Sequence, residues 1–121
     1  MADSLQLRVR LDAPRTARAW VCDLCRSHGL DDLCDNAGLL VTELVTNAVL
    51  HARTDCEVAA EPAEHAIRIT VTDHDLADVQ VHPLDAAAPG GRGLWIVAAL
   101  ATDWGITPHQ TGKSVWFTVR Y

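Results

Sequence analysis

The sequence predicts an α+β fold, a two-layer sandwich with a mixed, mainly antiparallel sheet and helices on one face. Three observations predict it. Apolar residues alternate with polar ones in "LQLRVRL", "AIRITVTD" and "SVWFTVRY", the period of strands with one covered face. Two helical stretches stand side by side between the first strand and the rest. The chain closes on two strand patterns around a turn, which pair antiparallel by default.

Each element follows in order. Leu5, Leu7, Val9 and Leu11 mark the first strand, and Asp12 then offers an N-cap with Pro14 in the first helical turn. That helix runs to about Ser27 and ends at Gly29. A second, long and mostly apolar, begins near Asp31 or Asp32 and continues through His51. "CEVAAEP" is a weak strand candidate, whereas "AIRITVTD" is a good one, with Ile67, Ile69 and Val71 on one side and Asp73 just past its end. "DHDLADVQVHPLDAAAPGGRG" reads as loop, and "LWIVAALA" as a short apolar helix opening directly at the glycines. "DWGITPHQTGKSVWFTVRY" supplies the last two strands, with Val115, Phe117, Val119 and Tyr121 alternating in the second.

A chain of 121 residues suits one compact domain over 1–121. Sixteen acidic against ten basic residues give a net charge of -6, which argues against direct nucleic-acid binding, since that needs a basic face. No apolar run approaches the roughly 18 residues of a membrane-spanning helix, and "MADSLQLRVR" lacks a signal-peptide core. The expectation is a cytoplasmic protein that makes no use of a membrane. Cys22, Cys25, Cys34 and Cys56 are too few and scattered for a disulfide scaffold, so reduced, structural thiols are expected. Cys22, Cys25, His28 and Cys34 have the residue types of a zinc quartet, but Cys22 and Cys25 fall inside a helical stretch where buried cysteines are ordinary.

Chemistry concentrates in four segments. In "ELVTNAVLHA", Glu43, Asn47 and His51 are four residues apart, nearly in line on an otherwise apolar helix. A carboxylate beside an amide oxygen suits Mg²⁺, a hard cation that bridges to substrate phosphates; the plain alternative is a hydrated stripe on a half-exposed helix. In "APGGRGLWIV", Gly90, Gly91 and Gly93 precede a helix, so free N–H groups and the positive helix end converge where a phosphate can sit. Asp73 offers a carboxylate able to accept from the exocyclic amine of adenine, although strand-terminal turn aspartates are common. Ser114, in "TGKSVWF", is placed to support the same base through water.

These segments, in this order, resemble the boxes of the GHKL (Bergerat-type, histidine-kinase-like) ATPase superfamily: "ELVTNAVLHA", "VTDHD", "GGRGLWIV" and "TGKSVWF". The resemblance runs from about Leu5 to Tyr121 and is nearest to the bacterial anti-sigma-factor serine kinases. It implies a Bergerat ATP-binding fold with ATP and Mg²⁺ as cofactors, and phosphorylation of a serine on an anti-sigma-factor antagonist. A sigma factor as second partner and a homodimer are implied too. Carried over residue by residue, Glu43 matches the general base, Asn47 the Mg²⁺ ligand, and Asp73 the adenine reader. Gly91, Gly93 and Leu94 match the phosphate-cradling turn beside Gly90, with Arg92 an added charge near the phosphates or at a partner surface. His51 matches a helix-end histidine without assigned chemistry. The pattern departs in the second box, where Asp75 and Ala77 stand in place of glycines that let backbone approach the nucleotide. That departure keeps a second expectation open: a non-catalytic module that sequesters its partner with weak or no nucleotide binding.

Overall fold

The structure, a computed structural model, describes residues 3–75, 97 and 99–121. Five strands form one sheet: β1 (Asp3–Leu7), β2 (Cys56–Ala63), β3 (Ala66–Asp73), β4 (Asp103–His109) and β5 (Gly112–Arg120). Their order is β1-β2-β3-β5-β4, and every neighbouring pair is antiparallel, so no parallel pairing of the expected mixed sheet occurs among the described strands. The architecture is otherwise the α+β sandwich expected.

The register explains the core. Val58, Val71 and Val115 lie in one row across β2, β3 and β5, and Ala60, Ile69 and Phe117 in the next. Because side chains alternate along a strand, these rows put a continuous apolar surface on one side of the sheet. All six are buried. "CEVAAEP", weak by pattern, is a full strand because β1 and β3 pair with it on both sides. β1 stops at Leu7 rather than Leu11, since its partner begins at Cys56 opposite Leu7. Beyond that point Val9 and Leu11 are exposed, and Val9 N–H donates to the Asp55 carboxylate at 2.8 Å.

Two helices cover the apolar side. α1 (Ala13–Ser27) buries Ala17, Val21 and Cys25 at helical spacing and gives way at Gly29, whose φ of 70° few other residues adopt. Asp12 precedes it without capping it, because its carboxylate is held by Arg10 at 3.0 Å. The second helical stretch is a 3-10 turn (Asp31–Leu33), α2 (Cys34–Asn47) and a π turn (Ala48–Ala52). α2 buries Leu40, Val41, Leu44 and Val45 against α1 and the sheet. A Cβ on Gly38 would stand 3.2 Å from the Arg18 side chain and 3.3 Å from Cys22 Sγ, so a bare backbone position lets the helices cross closely.

Two expectations are corrected here. The helical stretch Asp31–Ala52 contains an 18-residue window of mean hydropathy 1.2, long and apolar enough to cross a membrane by length and composition, contrary to the reading of isolated apolar runs. Half of that window is buried inside the fold, where it serves as the core helix. The cysteines are not all free thiols: Cys22 and Cys34 form a disulfide with Cα atoms 4.9 Å apart, while Cys25 and Cys56 are free and buried. Cys22 points from α1 toward the start of α2, a juxtaposition that the turn at Gly29 creates and linear spacing does not reveal.

Candidate functional site

Glu43 and Asn47 both lie on α2, one turn apart and half-buried. They flank the buried Leu44, Val45 and Ala48, at the margin of the core face. Their oxygen donors, a carboxylate and an amide carbonyl, have the chemistry that Mg²⁺ takes. His51 falls in the π turn and is exposed. The wider turn there rotates it off the line that an unbroken α-helix would draw through Glu43 and Asn47.

The exit from the helix then reaches the sheet. Arg53 takes the left-handed conformation (φ 57°, ψ 39°) and reverses the chain. Thr54 N–H donates to Ala48 O at 3.1 Å, and Thr54 Oγ1 accepts from His74 N–H at 3.2 Å. Two hydrogen bonds therefore tie the turn after Asn47 to the residue after Asp73.

Asp73 closes β3 on the helix-covered face, in a row with Cys56 and Lys113. It is 7% exposed, and burial at that level needs partners. Lys113 Nζ stands 3.1 Å from Oδ2 and 3.2 Å from Oδ1, and Asp75 N–H donates to Oδ1 at 2.9 Å in an Asx-type turn. Lys113 Nζ also lies 3.5 Å from Asp75 Oδ2. Gly112 makes the arrangement sterically feasible, since a Cβ there would fall 1.9 Å from Asp73 O and 2.7 Å from His74 Cα. Next to this group, the Cys56 thiol is pushed up to about 11, chiefly by burial and then by the Asp73 and Asp55 carboxylates.

Ser114 sits elsewhere. Its register partner is Thr72, so it occupies the face of the sheet opposite to Asp73. There its hydroxyl meets Thr72 Oγ1 and His109 Nε2, each at 2.7 Å. The water-bridged support expected of Ser114 for a base at Asp73 is at odds with this placement. Lys113, its neighbour, is the residue of "TGKSVWF" that faces Asp73, and sequence reasoning passed over it. The phosphate-turn residues Gly90, Gly91, Arg92, Gly93 and Leu94, and Ala77, lie outside the described residues. Val97, Ala99 and Leu100, in the segment read as a helix, are helical, and Val97 is fully buried in the core.

Comparison with known proteins agrees with this fold. One solved structure of similar fold contains the RsbU and RsbW domains of Rv1364c from Mycobacterium tuberculosis, with TM-score 0.74 and 23% identity over 99% of this chain. Another is the histidine kinase domain of the Erythrobacter litoralis EL346 blue-light activated histidine kinase, with TM-score 0.53 and 22% identity over 74% of this chain. The chain spans 32% and 45% of those two structures, so it corresponds to one part of each. No curated protein matches it. The profile of the histidine kinase-like ATPase domain matches residues 7–119, nearly the whole chain, Asn47 and Asp73 included. The chain therefore belongs to the histidine kinase-like ATPase domain family.

Proposed function

We propose that the protein binds ATP with Mg²⁺ between α2 and the Asp73 end of the sheet, and transfers the γ-phosphoryl group to a serine of a partner protein. The observation that carries this reading is the tie between the residues that follow Asn47 and Asp73: Ala48 and His74 are joined through the backbone and hydroxyl of Thr54. In this reading Asp73 Oδ2 accepts from the exocyclic amine of adenine, which places the phosphates toward α2. Asn47 Oδ1 would hold Mg²⁺, which when bound offsets the charge of the phosphate oxygens. Glu43 takes the proton of the serine hydroxyl as the new O–P bond forms and the bond between the γ-phosphorus and the ADP oxygen breaks.

The anti-sigma-factor branch of the sequence resemblance suggests the partners: an antagonist protein as the phosphorylated substrate and a sigma factor held when the antagonist is absent. The cytoplasm is the setting in which both would be met. Asp75 favours the competing reading of a non-catalytic module, because a carboxylate there brings negative charge to the nucleotide site. Lys113, within 3.5 Å of it, offsets that charge, and catalysis is the stronger reading.

Two variants test it. Glu43→Ala should keep nucleotide affinity near wild type and lower phosphoryl transfer to the antagonist about 10²- to 10⁴-fold, the range of a general base. Asn47→Ala should lose the Mg²⁺-dependent part of binding, read by calorimetry with and without the metal. Absence of transfer by wild type, with Glu43→Ala behaving identically, would leave the sequestering module as the correct reading.

A further inference from the structure

The group around Asp73 holds an ammonium to which the proposed catalytic scheme gives no contact with the nucleotide. Lys113 is only 13% exposed and Asp73 9% by side chain, so neither is a solvated surface charge. A lysine ammonium has three protons to donate, and a carboxylate can only accept. The contacts of Lys113 Nζ with Asp73, at 3.1 and 3.2 Å, are of hydrogen-bond length, whereas its 3.5 Å separation from Asp75 Oδ2 is that of an ion pair. One N–H can therefore turn to a ligand without breaking the Asp73 pair. Asp73 Oδ1 accepts from both Lys113 and Asp75 N–H, which leaves Oδ2 as the oxygen with capacity for a further donor. The end of the sheet thus presents an acceptor and a donor, Asp73 Oδ2 and Lys113 Nζ, side by side.

We infer that Lys113 is a base-specificity residue, whose ammonium donates directly to the N1 nitrogen of adenine while Asp73 Oδ2 accepts from the neighbouring 6-amino group. The inference rests on the nucleotide reading above and adds to it. Adenine carries those two groups on adjacent atoms of one edge, a donor beside an acceptor, and the Asp73–Lys113 pair is their complement. It also gives Asp75 a role: its carboxylate draws the ammonium to the mouth of the site and offsets its charge in the base-free state.

The test is a comparison of ATP with 1-deaza-ATP, in which a C–H replaces N1 and nothing else changes. Calorimetry on the wild-type protein should show 1-deaza-ATP binding about ten- to a hundredfold more weakly, the range for a hydrogen bond to a charged group. Lys113→Met keeps an apolar stem, should weaken ATP by a similar factor, and should bind the two nucleotides equally. Lys113→Met with Asp75→Asn removes one positive and one negative charge together, and should show the same lost discrimination in a charge-balanced site. Equal binding of both nucleotides by wild type, or ATP bound by Lys113→Met as tightly as by wild type, would overturn the role of Lys113 alone. Failure of wild type to bind either nucleotide would overturn the nucleotide reading itself and this inference with it.

Discussion

Cys56 is a residue whose behaviour follows from its place beside Asp73. Burial and two carboxylates push its thiol from the usual value near 9 up to about 11. The folded value lies above the unfolded one, so the stability it contributes is fully present below pH 9 and is lost as pH rises toward 11. Urea unfolding of wild type and Cys56→Ala should therefore give curves that converge above about pH 9, the variant losing less with each step in pH. Parallel curves would place Cys56 in contact with water and contradict its burial. The same residue scale shows what was legible in the sequence. Val115, Phe117 and Val119 announce an inward phase by alternation, and that phase puts Lys113 inward and Ser114 outward. The motif drew attention to Ser114, while the period-2 rule already pointed to Lys113. Glu43, Asn47 and Asp73 were legible because each breaks an apolar pattern at an element's face or end.

At the scale of elements, the strands and helices follow from periodicity, and their limits from pairing. The end of β1 depends on where β2 begins, and the strand character of "CEVAAEP" on two neighbours, neither of which local sequence contains. The two glycines of the β4–β5 hairpin illustrate the same point and lead to a prediction. A Cβ at Gly105 would meet the Trp116 indole at 2.7 Å, and that ring, stacked under Arg68 at 4.0 Å on the outer face, can tilt away. A Cβ at Gly112 would meet backbone, Asp73 O, at 1.9 Å, and backbone in a sheet row cannot move without parting β5 from β3. Gly112→Ala should lower stability by about 1 to 3 kcal/mol, the overpacking range, and Gly105→Ala by less. Urea midpoints read the order. Equal losses would mean that the Asp73 end of the sheet yields as easily as a side chain.

For the whole molecule, the least legible feature is the covalent one. Cys22 and Cys34 are separated by 12 positions in the sequence and by the turn at Gly29, so only the packing of α1 on α2 brings them together. The bridge joins two helices that share one core, and its loop is short and local. In the chain-entropy description a loop of this length is worth roughly 3 kcal/mol, because the bridge restricts the unfolded chain. The rest of the core, including Phe117, Leu40, Ile67 and Ile69, contributes independently of it. Reduction should therefore leave the protein folded, with the same far-ultraviolet circular dichroism, and lower its melting temperature on the order of 10 °C. The variant with Cys22→Ser and Cys34→Ser should melt near the reduced wild type and be indifferent to dithiothreitol. Thiol titration in denaturant should find Cys25 and Cys56 before reduction and all four cysteines after it. Identical melting with and without reductant, or four titratable thiols from the start, would show that the two helices are held by packing alone. Under reducing conditions, that lower stability is the one at which the proposed nucleotide site would have to form.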